Sequence, residues 1–348
     1  MKMNLEDKFG RKHNYLRVSL TDRCNLKCIY CTPLGKVSQK LSKMELLNFE
    51  EFKRLIRIFL SEFGINKIRL TGGEPLLRKD SDKFIKSIGE LKTLYDFELA
   101  LTTNGTILKN FLPALKLYGV DRLNISLDSL KPLNYNYITG CNNLQNNNSL
   151  QDVIDSIKVA ETMKFKELKI NTVILKGIND NEVIDFVNFI KNRDITLRFI
   201  EYMPFGDNRY IKERFIGTDE IIKKIKKCFD LEKENDCNGG IDSNGSVAET
   251  YRISNFKGRV GFISPISNHF CKNCNRLRIK ANGTMKLCLF SASSKEEIDL
   301  LSFLRDPSLN DNDIKQVIVS SVLNKEKEHA PLDDLLKLKN NSMLNTGG

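Results

Sequence analysis

The chain has 348 residues, of which 41% are hydrophobic, and its 55 Lys and Arg against 44 Asp and Glu give a formal net charge of +11. The length accommodates one large domain with an appended lobe, or two domains, and the composition excludes an intrinsically disordered chain. The apolar runs are short and broken by charge, which excludes a transmembrane span, and the start lacks the apolar core of a signal peptide, so we expect a cytoplasmic protein.

Short apolar strands alternate with amphipathic helices from about residue 15 to 203. One predicted helix follows Asn48, which can cap it together with Glu51, and others lie at 150–163 and 183–191. Repeated strand–helix units predict an α/β fold with a parallel sheet and with its chemistry at the carboxyl ends of the strands. A strand count alone permits a partial barrel or a doubly wound sheet. The strands are predicted to begin near Leu16, Ile68, Leu99, Leu123, Leu168 and Leu197.

The rhythm of strands and helices ends near residue 206. A basic helix is predicted around 220–228, followed by an Asn- and Gly-rich loop at 235–246 and a segment with its own cysteines. We therefore expect a core of residues 1–215 and a C-terminal lobe of residues 216–348.

Three cysteines with the spacing C-x3-C-x2-C follow the first predicted strand directly. In a chain from a reducing compartment such a set indicates metal ligation rather than disulfides. Three thiolates on one loop can hold three irons of a cubane cluster and leave the fourth iron open for a ligand. A closed zinc site would need a fourth protein ligand, for which His13 is the nearest histidine in the sequence, and zinc stays open as an alternative. The three are Cys24, Cys28 and Cys31.

This loop, with Tyr30 before its last cysteine, resembles the signature of the radical S-adenosylmethionine (SAM) superfamily. The run Thr-Gly-Gly-Glu-Pro at 71–75 resembles the superfamily's SAM-binding element, although a plain strand-ending turn has a similar composition. Glycines suit that role because they let a ligand approach the backbone closely. The resemblance implies that the open iron binds SAM and that an electron from the cluster cleaves it to methionine and a 5′-deoxyadenosyl radical.

A second set of three cysteines, with the spacing C-x2-C-x13-C, lies in the C-terminal segment. It predicts a second cluster with an open iron, or a zinc site that the adjacent His269 would complete. Arg276 and Arg278 follow, and in an extended segment both point to one face, where planar guanidinium groups suit phosphate oxygens. An ordinary exposed strand face is the alternative. The cysteines are Cys271, Cys274 and Cys288.

The order and spacing of the two sets resemble the GTP 3′,8-cyclase family, also called molybdenum cofactor biosynthesis protein A. The resemblance runs from about residue 9 to 303 and includes the terminal Gly347 and Gly348. It implies a partial (β/α)6 TIM-type barrel with a C-terminal segment that carries a second 4Fe-4S cluster. The segments that carry it are 101–105, 124–128, 197–204 and 270–290.

The same resemblance implies roles for single residues. The first cysteines would hold the SAM cluster, and the second cysteines a cluster whose open iron meets the guanine of GTP. Contacts to SAM would come from Tyr30, Gly73, Ser126 and Met203. Contacts to GTP would come from Arg17, Arg69, Thr102, Lys169, Arg276 and Arg278, and the residues expected in catalysis are Arg17, Arg276, Arg278, Gly347 and Gly348.

Arg69 and Lys169 are notable without the resemblance, because each is a cation inside an otherwise apolar strand. A buried charge requires a partner, and a triphosphate would supply one. A solvent-facing strand position is the alternative for both.

The implied reaction removes hydrogen from C3′ of GTP, joins that carbon to C8 of guanine and yields 3′,8-cyclo-7,8-dihydro-GTP at the start of molybdenum cofactor biosynthesis. The implied partners are GTP, SAM, an electron donor and the next enzyme of that pathway, with no nucleic acid and no membrane, and we expect a homodimer or a monomer. One alternative is another radical SAM enzyme with an auxiliary cluster that acts on RNA or a peptide. Another is a two-zinc protein that binds nucleic acid, since the basic charge favours anionic partners.

Departures from the family pattern are few. Thr32 stands where many members carry methionine, the 141–149 loop is Asn-rich and lacks an expected basic residue, and 293–345 aligns only loosely. The remaining cysteines have no partner at metal spacing and are expected to be structural: Cys141, Cys228 and Cys237.

Overall fold

The computed structural model describes residues 3–31, 40–141, 149–205, 210–234, 248–291, 296–337 and 343. Thr32, the predicted loop at 235–246 and Cys237 lie outside these residues, as do Gly347 and Gly348.

All six predicted strands are present, and each begins one residue before the predicted position. Most residues of each strand are buried, which is typical of the strands of a parallel sheet. The strands are β1 (Tyr15–Ser19), β2 (Lys67–Thr71), β3 (Glu98–Thr103), β4 (Arg122–Ser126), β5 (Glu167–Ile174) and β6 (Thr196–Glu201).

The helices of this region begin and end close to the predicted positions. Helix α1 is closed at its start by reciprocal hydrogen bonds between Asn48 and Glu51, as predicted, and Gly64 follows its end with a φ of 63°. The first six helices are α1 (Phe49–Glu62), α2 (Ser81–Gly89), α3 (Leu112–Leu117), α4 (Pro132–Thr139), α5 (Ser149–Thr162) and α6 (Val183–Phe189).

Strands β1 to β6 lie side by side in chain order, and each neighbouring pair is parallel. Every connection therefore advances in the same direction, which keeps the helices on one face of the sheet and leaves the other face free. A doubly wound sheet would reverse its strand order, so the partial-barrel prediction is confirmed and the alternative is wrong.

The segment beyond residue 215 extends the same sheet at both edges. Strand β10 pairs in parallel with β1, strand β9 pairs in parallel with β6, and the other four strands continue the sheet antiparallel. The domain boundary at 215 stays a prediction. The additional strands are β7 (Leu231–Lys233), β8 (Ala248–Ile253), β9 (Arg259–Ile263), β10 (Arg276–Ile279), β11 (Thr284–Lys286) and β12 (Glu297–Asp299).

Four further helices complete the part of the chain that the structure describes. The predicted basic helix is α7, and its last turn carries three lysines. These helices are α7 (Thr218–Lys226), α8 (Leu300–Arg305), α9 (Asp311–Leu323) and α10 (Leu332–Leu335). None of the helices in the described ranges combines the length and the apolar composition that a membrane crossing requires.

Candidate active site

A cavity of about 1070 Å³ lies on the inner face of the sheet, and both cysteine sets line it. The first set belongs to the loop after β1, and the second lies before β10 and after β11. Because β10 pairs with β1, the two sets meet in one cavity although about 240 residues separate them in the chain. The lining cysteines are Cys24, Cys28, Cys31, Cys271, Cys274 and Cys288.

The first cysteine loop is braced by its neighbours. The Leu26 N–H lies 3.4 Å from the Cys24 sulfur, and Asn104 Nδ2 lies 3.6 Å from the same sulfur. Burial raises the pKa of Cys24 to about 11 and that of Cys31 to about 12. His13, the nearest histidine in the sequence, is buried against Asp7 at 3.0 Å and does not line the cavity. His13 is therefore not placed to complete a zinc site with this trio, and three thiols suit a cubane cluster with an open iron.

The Thr-Gly-Gly-Glu-Pro run packs directly against this loop. A Cβ on Gly73 would lie 2.3 Å from the carbonyl oxygen of Arg23, so the residue has to be glycine. The close approach at this glycine is thus made by the backbone of the cysteine loop itself. Glu74 is fully buried and accepts hydrogen bonds from the Asn104 N–H at 2.7 Å and the Thr103 hydroxyl at 2.9 Å. The run consequently joins the ends of β2 and β3 to the cysteine loop.

The other residues expected to contact SAM lie in the same cavity. The Tyr30 hydroxyl donates a hydrogen bond of 2.7 Å to Asp128, which also accepts the Val173 N–H at 2.8 Å. Burial raises the pKa of Asp128 to about 6 despite these hydrogen bonds. Ser126 is the last residue of β4, and Met203 follows β6, so both stand at carboxyl ends of strands, where parallel sheets place their sites.

The second cysteine set lies in a cationic environment. Lys325 Nζ is 3.7 Å from the Cys274 sulfur, and Arg11 donates a hydrogen bond of 3.0 Å to the carbonyl oxygen of Cys271. Burial raises the pKa of Cys274, but Lys325 and Arg276 outweigh it and lower the value to about 6. In the ranges that the structure describes, no three His, Cys, Asp or Glu side chains are already placed to hold a metal ion. His269 lies 3.4 Å from Glu328.

Buried cations form one wall of the cavity. Arg276 and Arg278 lie on β10 with 7% and 5% exposure, so the alternative of an exposed strand face is wrong. Among the described residues, Arg276 Nη2 and Arg278 Nε have no hydrogen-bond partner. Burial and the positive charges of nearby arginines lower the pKa of Arg17 to about 9, although Tyr15 acts in the opposite direction. These arginines are Arg278, Arg69 and Arg276. Guanidinium groups held this close favour the binding of an anion between them.

Arg69 and Lys169 have partners within the protein. Arg69 donates its Nε–H to the Tyr15 hydroxyl, and its Nη1 lies 3.3 Å from Thr102 Oγ1. Lys169 Nζ lies 2.7 Å from Glu167. Both cations are buried, so the solvent-facing alternative is wrong for each. These side chains supply the partners that the buried cations were predicted to need. A triphosphate would therefore bind in addition to them.

Every expected SAM, GTP and metal residue that the structure describes lines this one cavity. Gly347 and Gly348 lie outside the described residues, but Met343 is 9% exposed and packs with Phe205 and Phe290 beside the cavity. Of the remaining cysteines, Cys141 is buried and Cys228 is exposed, so the expectation of a structural role fails for Cys228.

Several polar residues of the cavity were not predicted from the sequence. They are cations or hydroxyl and amide groups inside apolar strands, the same signal that pointed to Arg69 and Lys169. Lys325 does not line the cavity but contacts Cys274, and nothing nearby in the sequence marks it, because it follows helix α9. Four of these strand residues in the lining are Tyr15, Asn124, Asn171 and Arg198.

Known proteins match the chain over nearly its whole length. Residues 18–190 match the radical SAM superfamily, and residues 195–331 match the family Molybdenum Cofactor Synthesis C. The mitochondrial GTP 3′,8-cyclase of Arabidopsis thaliana is 40% identical over 344 residues, which are 99% of this chain and 83% of that protein. The GTP 3′,8-cyclase of Peptoclostridium acidaminophilum is 39% identical over 328 residues, which are 94% of this chain and 93% of that protein.

Solved structures agree with the fold. The structure of anSMEcpe with bound AdoMet superposes with a TM-score of 0.60 at 16% identity, over 92% of this chain and 84% of that chain. This likeness shows the radical SAM fold alone. The two near-full-length relatives and the two family matches show that the chain belongs to the GTP 3′,8-cyclase family of radical SAM enzymes.

Proposed function

We propose that this chain converts GTP to 3′,8-cyclo-7,8-dihydro-GTP, the first step of molybdenum cofactor biosynthesis. The observation that carries the proposal is a single cavity that both thiol trios line, with buried arginines beside the second trio. At about 1070 Å³ the cavity lies just above the usual range of about 300–1,000 Å³ for a ligand pocket.

The first trio would hold a 4Fe-4S cluster with one open iron. When bound, that cluster supplies the electron that cleaves SAM to methionine and a 5′-deoxyadenosyl radical. Tyr30, Gly73, Ser126 and Met203 would hold SAM, and the hydrogen bond from Tyr30 to Asp128 fixes the loop that precedes Cys31. The protein's own contribution is to orient the two nucleotides and exclude water from the reacting carbon.

The second trio would hold another 4Fe-4S cluster, whose open iron would bind the guanine base. The phosphates of GTP would then lie against Arg17, Arg276 and Arg278, with Arg69, Thr102 and Lys169 around them. Buried guanidinium groups bind phosphate oxygens in fixed, bidentate geometry, which sets the ribose at a constant position relative to SAM. Gly347 and Gly348 would act beside the ribose, and the position of Met343 at the cavity supports this placement.

Partners and location follow from the same chemistry. The reaction would draw an electron from a cytoplasmic donor and pass its product to the next enzyme of the pathway, and the thiols of the described cysteines are all free, which suits a reducing compartment. We propose a monomer or homodimer as the active form. We propose no nucleic acid and no membrane as a partner.

The test is to incubate anaerobically reduced protein with SAM and GTP. We expect 5′-deoxyadenosine and a cyclised GTP product in equal amounts, and neither without GTP. Cleavage of SAM with GTP left intact would contradict the substrate and direct attention to RNA or a peptide. Zinc in place of iron and sulfide in the purified protein would contradict the radical chemistry altogether.

A further inference from the structure

Lys325 is a buried cation in contact with the second cysteine set. It lies just after helix α9 with 2% exposure, and its Nζ donates a hydrogen bond of 2.9 Å to the carbonyl oxygen of Arg276. The same Nζ lies 3.7 Å from the sulfur of Cys274. Among the described residues, the contacts of this nitrogen are a carbonyl oxygen and a thiol sulfur, and the buried carboxylate of Glu296 lies farther away but within electrostatic reach. Burial of this ammonium group favours a compensating negative charge at the cysteines beside it.

The segment that carries Lys325 is tied to the cysteine loop by a second cation. Arg11 donates hydrogen bonds to the carbonyl oxygens of Glu326 at 2.6 Å and Lys327 at 2.7 Å, and the same guanidinium group binds the carbonyl oxygen of Cys271 at 3.0 Å. Asp7 holds Arg11 through a hydrogen bond of 2.6 Å. The ammonium group of Lys325 is therefore kept at a fixed distance from the cysteine loop.

We infer that Lys325 is a positioning residue whose charge stabilises the negative charge of an iron–sulfur cluster held by Cys271, Cys274 and Cys288 and thereby raises the reduction potential of that cluster. The inference rests on the proposed function, because it requires a cluster at this trio. A one-electron reductant such as dithionite adds one negative charge to the cluster, and a nearby ammonium group stabilises the reduced form more than the oxidised form. Hydrogen bonds and charges at cluster sulfurs are known to set the potential in this way.

The variant Lys325→Met tests this inference in a full-length chain in which Cys24, Cys28 and Cys31 are replaced by alanine, so that only the second trio binds iron. The measurement is an anaerobic redox titration with dithionite, followed by electron paramagnetic resonance. We expect the equilibrium constant for reduction of the cluster to fall at least tenfold in Lys325→Met, which lowers the reduction potential by about 59 mV for a one-electron couple. Lys325→Arg keeps the charge and should stay near the parent value.

Lys327→Met is the matched control, because Lys327 is exposed and lies two residues further along the same segment. This variant also removes one positive charge, but a charge that water already screens, so we expect no change in the reduction potential of the cluster. If Lys325→Met keeps its iron and has the same reduction potential as the parent, the inference is wrong, while the cluster itself stands. A shift of equal size in Lys325→Arg would also overturn it, because packing rather than charge would then be responsible.

Iron and sulfide analysis separates this inference from the proposed function. If the parent chain binds no iron at the second trio, the proposed function fails and the inference fails with it. If Lys325→Met does not retain iron, Lys325→Gln serves as a second neutral variant that can still donate to the Arg276 carbonyl. Loss of iron from both neutral variants, with iron kept in Lys325→Arg, would overturn the inference, because the charge would then be needed to bind the cluster rather than to set its potential.

Discussion

Tyr15 shows how one residue can report on the occupancy of the cationic wall. Its phenol accepts a hydrogen bond from Arg69, and Lys67 Nζ and the Arg69 guanidinium carbon lie 5.3 Å and 6.0 Å from the centre of its ring. Burial raises the pKa of Tyr15, but Arg69, Arg17 and Lys67 outweigh it and lower the value to about 7. A phenolate at this position would balance part of the cationic charge, as Glu167 does for Lys169.

We predict that GTP binding makes Tyr15 take up a proton. The triphosphate would compensate the same cations, so the pKa of Tyr15 would rise from about 7 toward its ordinary 10.0, with uptake between these two pH values. Calorimetry in buffers of different ionisation enthalpy measures this uptake at pH 8, and an ultraviolet difference spectrum measures the loss of tyrosinate. Both signals should vanish in Tyr15→Phe and persist in Tyr118→Phe, whose ring lies outside the cavity. Equal uptake in the two variants would contradict the assignment.

At the scale of the elements, an ion-pair network joins the amino ends of three neighbouring strands. Glu98 at the start of β3 pairs with Arg122 of β4 at 2.9 Å and with Lys166 at 2.5 Å, and Arg122 also binds Glu167 of β5. Burial raises the pKa of Glu98, but the hydrogen bonds from Arg122 and Lys166 outweigh it and lower the value to about 2. Glu98 and Lys166 also line the cavity, but the network lies at the strand ends opposite those that carry the cysteine loop, so we assign it to stability.

We predict that Glu98→Gln lowers the free energy of unfolding by about 1–2 kcal/mol at pH 7, a value discounted for partial solvent screening. The folded pKa lies below the unfolded value of 4.5, so the stabilisation is complete above about pH 4.5 and is lost as the pH falls toward about 2. The difference between variant and wild type should therefore shrink on acidification. Urea denaturation of the cluster-free proteins at pH 7 and pH 3 measures it, and the exposed Glu213→Gln serves as control. A difference that is constant with pH would contradict this role.

At the scale of the whole molecule, the C-terminal segment completes the sheet rather than lying beside it. Strand β10 covers one edge of the core at β1, and β9 covers the other at β6. Leu277, Ile279, Val260 and Phe262 on these strands are at most 1% exposed. A core without this segment would expose two apolar parallel edges, which favour aggregation.

We predict that a chain ending at residue 215 does not yield a folded monomer, whereas a chain ending at residue 337 does. The longer chain keeps all the strands that the structure describes and should retain wild-type iron content. It should lose GTP cyclisation because Met343 and the two terminal glycines are missing. Size-exclusion chromatography, circular dichroism and iron analysis measure the outcome. A monodisperse, cooperatively folding chain of residues 1–215 would contradict the argument and favour two independent domains.

Features that depend on neighbours in the chain were predicted from the sequence. The strands, the cap at Asn48 and the two cysteine sets rest on periods of two to four residues and on short spacings, which leave a direct mark on the sequence. The cations inside β2 and β5 stood out for the same reason. The partner of Lys169 was not predicted, because Glu167 lies only two residues away on the same strand and its side chain could equally have faced solvent.

By itself, the sequence determined the chemistry available to this protein: two thiol trios, a glycine turn between them in the order of the chain, and guanidinium groups at fixed spacing on one strand. Only the tertiary structure decided that these groups share a cavity, because that depends on the parallel pairing of β10 with β1. Lys325 and Arg11 are the clearest examples, since each acts on cysteines 51 and 260 residues away in the chain. Contacts over such distances are set by the packing of whole elements, and no local pattern of side chains encodes them.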